Sequence, residues 1–382
     1  MRFPEFTEDW ATIRLGDYCD INMCKRIFAN QTSEIGDIPF YKIGTIGNIP
    51  DSYISKDLFE EYKHKYNYPR KGEVMITCAG TVGKAIVFNG EDSYYQDSNI
   101  VWIDNPTNKL ENMFLYYKIN CVDLSKLNST TITRIYNDDL RKLKISYPSI
   151  SEQIKITKLL QIIDDRIVTQ NKIIEQLQSL IKGIVVEHFN NTQKTKVKIK
   201  DLGKSYSVMN MSKEDLSVTG NECIIYGELF TIYDCVAVNI VSKTQKAVHS
   251  STVSTGYDLL FPASTTVDAQ SLIAPTAVSI PNIILGGDMF GIAVKQEFNN
   301  EYLSYAFNYI YKKYLAQYAQ GSTIIHLHYN DIKNLYIGIP NKITQDKLVT
   351  LLKSMQDKIL TEKKMLSMLE TQKAHLLRNL FI

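Results

Sequence analysis

Pro148-Ser149-Ile150-Ser151-Glu152-Gln153 opens a stretch that runs to His188 with no further proline and with Gly183 as its sole glycine. Ser149, followed three residues later by Glu152, has the form of a capping box, which satisfies the first free amides of a helix. From there, positions 153, 156, 160, 163, 167, 170, 174, 177, 181 and 184 advance in alternating steps of three and four. They read Gln, Ile, Leu, Ile, Ile, Gln, Ile, Leu, Ile, Ile. The spacing predicts one long helix with an apolar seam, interrupted by a polar residue at Gln170.

Working outward, Ile324 to Phe381 can be laid on Ile132 to Phe189 at a constant offset of 192, without a gap. The identical pairs include Thr131/Thr323, Asp139/Asp331, Ile145/Ile337, Pro148/Pro340, Gln153/Gln345, Asp165/Asp357, Ile167/Ile359 and Phe189/Phe381. Hydrophobic phase alone would not place Pro, Asp and Gln at one offset. The N-terminal ends also echo, Ile13-Arg14-Leu15-Gly16-Asp17 against Ile199-Lys200-Asp201-Leu202-Gly203. A fainter echo sets Gly72-Glu73-Val74-Met75-Ile76 against Gly256-Tyr257-Asp258-Leu259-Leu260. The chain is a tandem duplication whose middles have drifted apart.

The second seam reads Gln345, Leu348, Leu352, Met355, Ile359, Glu362, Leu366, Leu369, Lys373 and Leu376, with Glu362 standing where Gln170 interrupts the first. Each apolar seam residue contributes about 1.5–3 kcal/mol when buried, so the stripes must be covered. The simplest cover for each helix is the other. The residues expected to pair them are Leu160, Ile163, Ile167, Gln170, Ile174 and Leu177 with Leu352, Met355, Ile359, Glu362, Leu366 and Leu369. Some 38 residues at about 1.5 Å each give helices roughly 57 Å long.

Between the helices, short strand-like runs appear at Ile38 to Ile43, Glu73 to Thr77, Ala85 to Phe88 and Ile100 to Ile103. Helical spacing covers Asn112 to Ile119 and Glu301 to Tyr318, the latter crowded with six tyrosines that read as half-buried packing. With 382 residues, 44% hydrophobic and 22% charged, the chain has material for two or three cores. Residues 1–148 carry a net charge of −2, 149–200 +4, 201–340 −4, and 341–382 +4. Globular parts that gripped phosphates unaided would be basic, so contact with nucleic acid would need a partner.

Chemistry-bearing motifs are missing. Ala79-Gly80-Thr81-Val82-Gly83-Lys84-Ala85 lacks the first glycine and the final hydroxyl of a phosphate loop and reads as a tight turn between strands. Asn105-Pro106-Thr107 lacks the second proline and aromatic residue of an amino-methyltransferase site. His326-Leu327-His328 has no carboxylate at zinc-site spacing and reads as a strand with two imidazoles on one face. The six cysteines form no Cys-x-x-Cys pair and read as free thiols in a reducing cytosol. No run is apolar enough for a membrane span, and Met1-Arg2-Phe3-Pro4-Glu5 lacks a signal core. The expectation is a chain that catalyses nothing by itself and holds no metal.

Two variable modules, each followed by a near-identical helix opening on Pro-x-x-x-Glu-Gln, resemble the specificity subunit of type I restriction-modification systems. The resemblance spans nearly the whole chain and is carried by Trp10 to Asp17, Lys71 to Lys84, Ile132 to Pro148 and both helices. The second copy departs from it: Thr344 replaces Glu152, and Ser264-Thr265-Thr266 stands where the first has its Gly-Thr turn. It implies an α+β fold (mixed α/β modules) duplicated in tandem, with the helices paired as an antiparallel coiled coil. Its parts are target-recognition domains at 1–148 and 191–340 and spacer helices at 149–190 and 341–382.

The same resemblance implies a cytoplasmic bacterial or archaeal subunit that reads a bipartite, asymmetric site on double-stranded DNA. It also implies two modification (methyltransferase) subunits as partners, with restriction (translocase/endonuclease) subunits joining through them. S-adenosylmethionine, ATP and Mg would then belong to those partners and no cofactor to this chain. Base reading needs donors and acceptors on loops beside a groove. The candidates are Lys25, Arg26, Lys42, Thr45, Thr81, Lys84 and Arg134 in the first module, and Lys213, Lys243, Ser264, Thr265 and His326 in the second. Residues 201–340 contain no arginine, the commonest guanine reader. Alternatives are a specificity subunit for a fused nuclease-methylase partner and a coiled-coil scaffold with no DNA role.

Overall fold

The computed structural model describes residues 2–80, 82–107, 109–124 and 134–381. Thr81 and the Thr131 and Ile132 ends of the repeat lie outside the described residues. The chain divides into two compact units, Met1–Gln170 with Met365–Ile382, and Asn171–Lys364. The long helices are Ile150–Asn191 and Lys342–Leu380, so each unit holds one module and half of each helix.

In the first unit, the buried strand Val74–Thr77 pairs antiparallel with Ala85–Val87 and Ile100–Asp104, and Asp20–Asn22 extends the sheet. Alternation along the strands feeds two cores. Val74, Ile76, Val101 and Ile103 join Leu115 and Ile119, while Met75, Ile100 and Trp102 join Phe40, Phe59 and Tyr94. A second sheet pairs Ile38–Tyr41 parallel with Tyr94–Tyr95 and antiparallel with Tyr53–Ile54. The helix Asn112–Cys121 sets Phe114 and Tyr117 against Ile156, Leu160 and Ile163 of the first long helix and Leu376 and Leu380 of the second. Asp164 meets Lys373 at 2.6 Å, and the earlier residues Ile156 and Leu160 share their cluster with the later Leu380. The two helical segments therefore run antiparallel.

The second unit carries two five-stranded sheets, one ordered Gly203–Ser207, Met289–Val294, Asp258–Pro262, Thr276–Val278, Val236–Ala237. The other is ordered Leu216–Ser217, Ser242–Thr244, Asn221–Ile225, Pro281–Gly286, Val253–Thr255. The tyrosine-rich stretch, expected as one helix over Glu301 to Tyr318, is two: Asn300–Tyr309 and Lys312–Ala316. The break seats Tyr311, whose hydroxyl donates to the Gly338 carbonyl at 2.8 Å and accepts from the Gly338 N–H at 2.7 Å. Tyr302 and Tyr305 are buried, as packing groups.

The same frame recurs in both units. Ala11–Arg14 pairs antiparallel with Lys144–Tyr147, and Thr195–Lys198 with Tyr336–Ile339, setting Ile13 opposite Ile145 and Val197 opposite Ile337. That pairing corrects the sequence echo, which set Ile13 on Ile199. The structural counterpart of Ile13 is Val197, two residues earlier. Gln153 and Gln345 are buried side chains that hold the frame. Each accepts from the amide that opens a module helix, Glu111 N–H and Asn299 N–H, both at 2.8 Å. Each donates to its own proline carbonyl, Pro148 at 2.9 Å and Pro340 at 2.8 Å. The capping box expected at Ser149 and Glu152 does not close: Ser149 meets the Ser151 hydroxyl, and Glu152 is held by the Arg2 guanidinium at 2.8 Å. Along the seams, Leu160, Ile163, Gln170, Ile174, Leu352, Ile359 and Glu362 are buried, and Ile167, Leu177, Met355, Leu366 and Leu369 are half-buried.

Candidate nucleic-acid interface

In the first unit, a polar turn, Gln96-Asp97-Ser98-Asn99, follows the strand Tyr94–Tyr95 and bends through a left-handed Ser98 (φ 53°). Cationic side chains from distant segments converge on it. Arg26 Nε donates to Asp97 Oδ2 at 2.9 Å, and the Arg26 side chain stays 60% exposed. Arg134 Nη2 donates to the Ser98 carbonyl at 3.2 Å, and its guanidinium lies 5.7 Å from the Tyr136 ring centre. Gln96 Oε1 accepts from the Ile43 N–H at 3.4 Å, joining the turn to the loop after Ile38–Tyr41.

That loop holds Lys42 and Thr45. Thr45 Oγ1 accepts from the Lys42 N–H at 3.0 Å, while Lys42 Nζ lies 3.1 Å from exposed Asp51. Lys84 Nζ donates to the Ile46 carbonyl at 2.6 Å. Gly47 (φ 74°) is where this loop approaches it: a Cβ there would stand 3.4 Å from Lys84 Nζ. The structure thus gathers Arg26, Lys42, Thr45, Lys84 and Arg134 around two neighbouring loops. Thr45 and Lys84 spend part of their hydrogen bonding on the loop itself. Lys25 stands apart, 5.2 Å from the Tyr66 ring centre, in a hollow of about 410 Å³ that it lines with Asn22, Lys65 and Asn67.

The second unit separates its candidates. Ser264–Thr265 forms a two-stranded ladder with Ile325–His326 that sets Ser264 opposite His326. Ser264 is nearly buried, Thr265 Oγ1 accepts from the Val267 N–H at 3.2 Å, and the His326 and His328 rings stack 6.0 Å apart. The two imidazoles therefore share one side. Lys213 and Lys243 lie at another sheet, both exposed, Lys243 opposite Glu222 and Ser217 across its ladders. Nearby, the Ser212 amide, and then the Lys246 ammonium 2.9 Å away, hold the Asp215 carboxyl below its usual range.

The turn Gln96 to Asn99 was missed from sequence. Its four polar residues between a Tyr-Tyr pair and a strand are a turn signal, but nothing local shows that Arg26 and Arg134 meet there. The cysteines offer no nucleophile at these loops: burial pushes the Cys78 and Cys24 thiols up to about 12. Among the described residues, no cluster of His, Cys, Asp and Glu could hold a metal, and no helix is long and apolar enough to cross a membrane.

Two α+β modules in tandem, each built on the same ladder, the same buried glutamine and half of each long helix, define a protein duplicated in tandem. The chain belongs to the family of type I restriction modification DNA specificity domains, whose pattern it matches twice, over residues 7–179 and 191–371. It is 52% identical over 148 residues to a specificity subunit assigned to a type I restriction enzyme of Haemophilus influenzae, covering 39% of this chain and 38% of that one. It is 23% identical over 192 residues to the type I restriction enzyme MjaVIII specificity subunit of Methanocaldococcus jannaschii, covering 50% and 43%. The matches thus span about two-fifths of those relatives' length. Its fold is that of the type I restriction-modification system S subunit from M. genitalium (TM-score 0.62, 16% identity, 100% and 97% covered). A chain solved in work on complex assembly and conformational transition of the type I R-M system is similar (TM-score 0.55, 14% identity, 99% and 98% covered).

Proposed function

We propose that this chain is the DNA-reading subunit of a type I restriction-modification complex. Its two modules read the two halves of a bipartite, asymmetric site, and its helices dock two modification subunits. The observation that carries this reading is a constant frame with different tips. The ladder and the buried glutamine recur in both units, whereas the loops differ. The first presents arginines around Gln96 to Asn99, and the second a histidine-bearing ladder without arginine. Equal frames carry unequal tips, and unequal tips read unequal half-sites.

In this reading Lys25, Arg26, Lys42, Thr45, Thr81, Lys84 and Arg134 face the first half-site. Lys213, Lys243, Ser264, Thr265 and His326 face the second. Methyl transfer from S-adenosylmethionine and ATP-driven, Mg-dependent cleavage belong to the modification and restriction subunits, and the complex works on cytoplasmic DNA. Co-expression with the modification subunit of the same host, followed by mapping of methylated adenines, tests it. A split, asymmetric motif that disappears without this chain is the expected result. A contiguous motif, or methylation that persists without the chain, would overturn it.

A further inference from the structure

The offset of 192 lays Arg134-Ile135-Tyr136 on His326-Leu327-His328, and the fold repeats the contacts that fix the two triplets. Ile135 N–H donates to the Cys78 carbonyl and Leu327 N–H to the Ala263 carbonyl, both at 2.9 Å. Cys78 and Ala263 are the residues that follow the strands Val74–Thr77 and Asp258–Pro262. Tyr136 N–H donates to Asp139 Oδ2 at 3.0 Å, and His328 N–H to Asp331 Oδ2 at 2.8 Å. The backbone agrees as closely, with φ −100° and ψ 157° at Tyr136 against −107° and 155° at His328.

In each triplet the middle residue is buried, the first half-buried and the third exposed, Tyr136 to 57%. The first side chain lies along the third. The Arg134 guanidinium is 5.7 Å from the Tyr136 ring centre, and the His326 ring stacks 6.0 Å from that of His328. A guanidinium over an aromatic face restrains the ring. The inner groups also serve their own modules. Arg134 Nη2 donates to the Ser98 carbonyl at 3.2 Å, and the His326 backbone pairs with that of Gln320 opposite Ser264. The outer residues differ between the units, a phenol in one and an imidazole in the other, each a donor and acceptor on a stiff ring. Phosphates are the same in every sequence, so bases are told apart where a constant scaffold presents different side chains. Tyr136 and His328 are such a pair, and the sequence candidates Arg134 and His326 are their inner neighbours.

Resting on the functional reading above, we propose that the outer rings determine specificity: Tyr136 touches a base edge in the first half-site, and His328 one in the second. Arg134 and His326 are positioning residues that hold those rings.

The test assembles the full chain with the modification subunit of the same host. Adenine methylation is mapped, and rates are measured on duplexes altered one base at a time, with melting curves confirming that each variant folds. Tyr136→Ala is expected to cut discrimination at one base of the first half-site by about tenfold or more and to leave the second unchanged; His328→Ala does the reverse. Tyr136→His, which keeps a ring beside Arg134, is expected to change the preference at that same base. Arg134→Ala is expected to relax that base too, and the double variant no more than either alone. Tyr336→Ala is the control, a tyrosine 54% exposed on the frame ladder, and is expected to keep the motif. A motif kept by both Tyr136→Ala and His328→Ala, or rates lowered equally on all sequences, would overturn the proposal and leave the functional reading standing. Relaxation of a different base by Arg134→Ala would make Arg134 itself a reader and overturn its positioning role. Absence of a split motif with the wild-type chain would overturn both readings.

Discussion

Gln153 places its whole amide inside the first unit, accepting from Glu111 N–H and donating to the carbonyls of Pro148 and Lys109 at 2.9 and 3.0 Å. Replacing it with alanine strands three backbone groups where the lost partner stood, each worth about 1–3 kcal/mol when left unpaired in the interior. Gln153→Ala is therefore expected to cost about 3 kcal/mol in urea unfolding, and exposed Gln176→Ala less than about 0.5 kcal/mol. An equal, small effect of both would show that the amide holds nothing. A second residue, His188, makes stability depend on pH. Among the described residues its Nδ1 is buried without a partner, its ring lies 6.2 Å from that of Tyr302, and burial, against a backbone hydrogen bond at Thr344 and helped by nearby Lys194, holds its pKa below the usual 6.5. Below pH 6.5 the unfolded chain takes up a proton that the folded chain refuses, so stability falls as pH drops through that value and levels off below the depressed folded pKa. Unfolding free energies from pH about 7.5 to about 5.5 should show a steeper loss for the wild type than for His188→Phe. Parallel profiles would assign the slope to other groups.

Strands fix which residues can change without loss. Gly203 opens the ladder with Met289–Val294 opposite Val294, and a Cβ there would stand 2.0 Å from the Ala293 carbonyl oxygen. Backbone cannot yield as a flexible side chain does, so Gly203→Ala is expected to cost about 3 kcal/mol or more and to speed amide exchange along Gly203–Ser207. Unchanged exchange there would mean the ladder shifts freely. Legibility from sequence follows the same line between frame and tip. The long helices were readable because a seam of period 3.5 over so many turns has no strand-like alternative. The N-terminal ladder was read two residues out of place, because a slip of two along a strand keeps every side chain on its face. The long tyrosine helix was read as unbroken because its break answers to Tyr311 and Gly338, contacts that local spacing does not encode. The convergence of Arg26 and Arg134 on the turn at Gln96 to Asn99 is of that kind too: segments over a hundred residues apart meet only through the sheet between them.

For the whole molecule, charge and length make separate demands. Modules with a net charge of −2 (residues 1–148) and zero (residues 191–340) carry no basic excess with which to release many counterions. The lone chain is expected to bind duplex DNA weakly and with little sequence preference at physiological salt, and tightly only with modification subunits present. Tight specific binding by the chain alone would overturn this. The units divide at Gln170 in the first long helix and at Lys364 in the second. Adding four residues after each of these positions leaves both units internally unchanged. It extends the helices by about 6 Å and by little more than one full turn, about 400°, so the apolar seams stay nearly in phase. Adding two residues rotates each seam by about 200° and turns its apolar stripe away from its cover. If the helices set the distance between half-sites, about 6 Å is at most two base pairs at roughly 3.4 Å each. Each added base pair also turns the second half-site by about 34°, from roughly 10.5 per helical turn. The four-residue variant, assembled with modification subunits, is expected to methylate a site with both half-sites unchanged and an unread spacer one or two base pairs longer. The two-residue variant is expected not to assemble. Adenine methylation mapping reads both outcomes directly: full activity on the original spacer after the four-residue insertion would mean that something other than the helices measures the site.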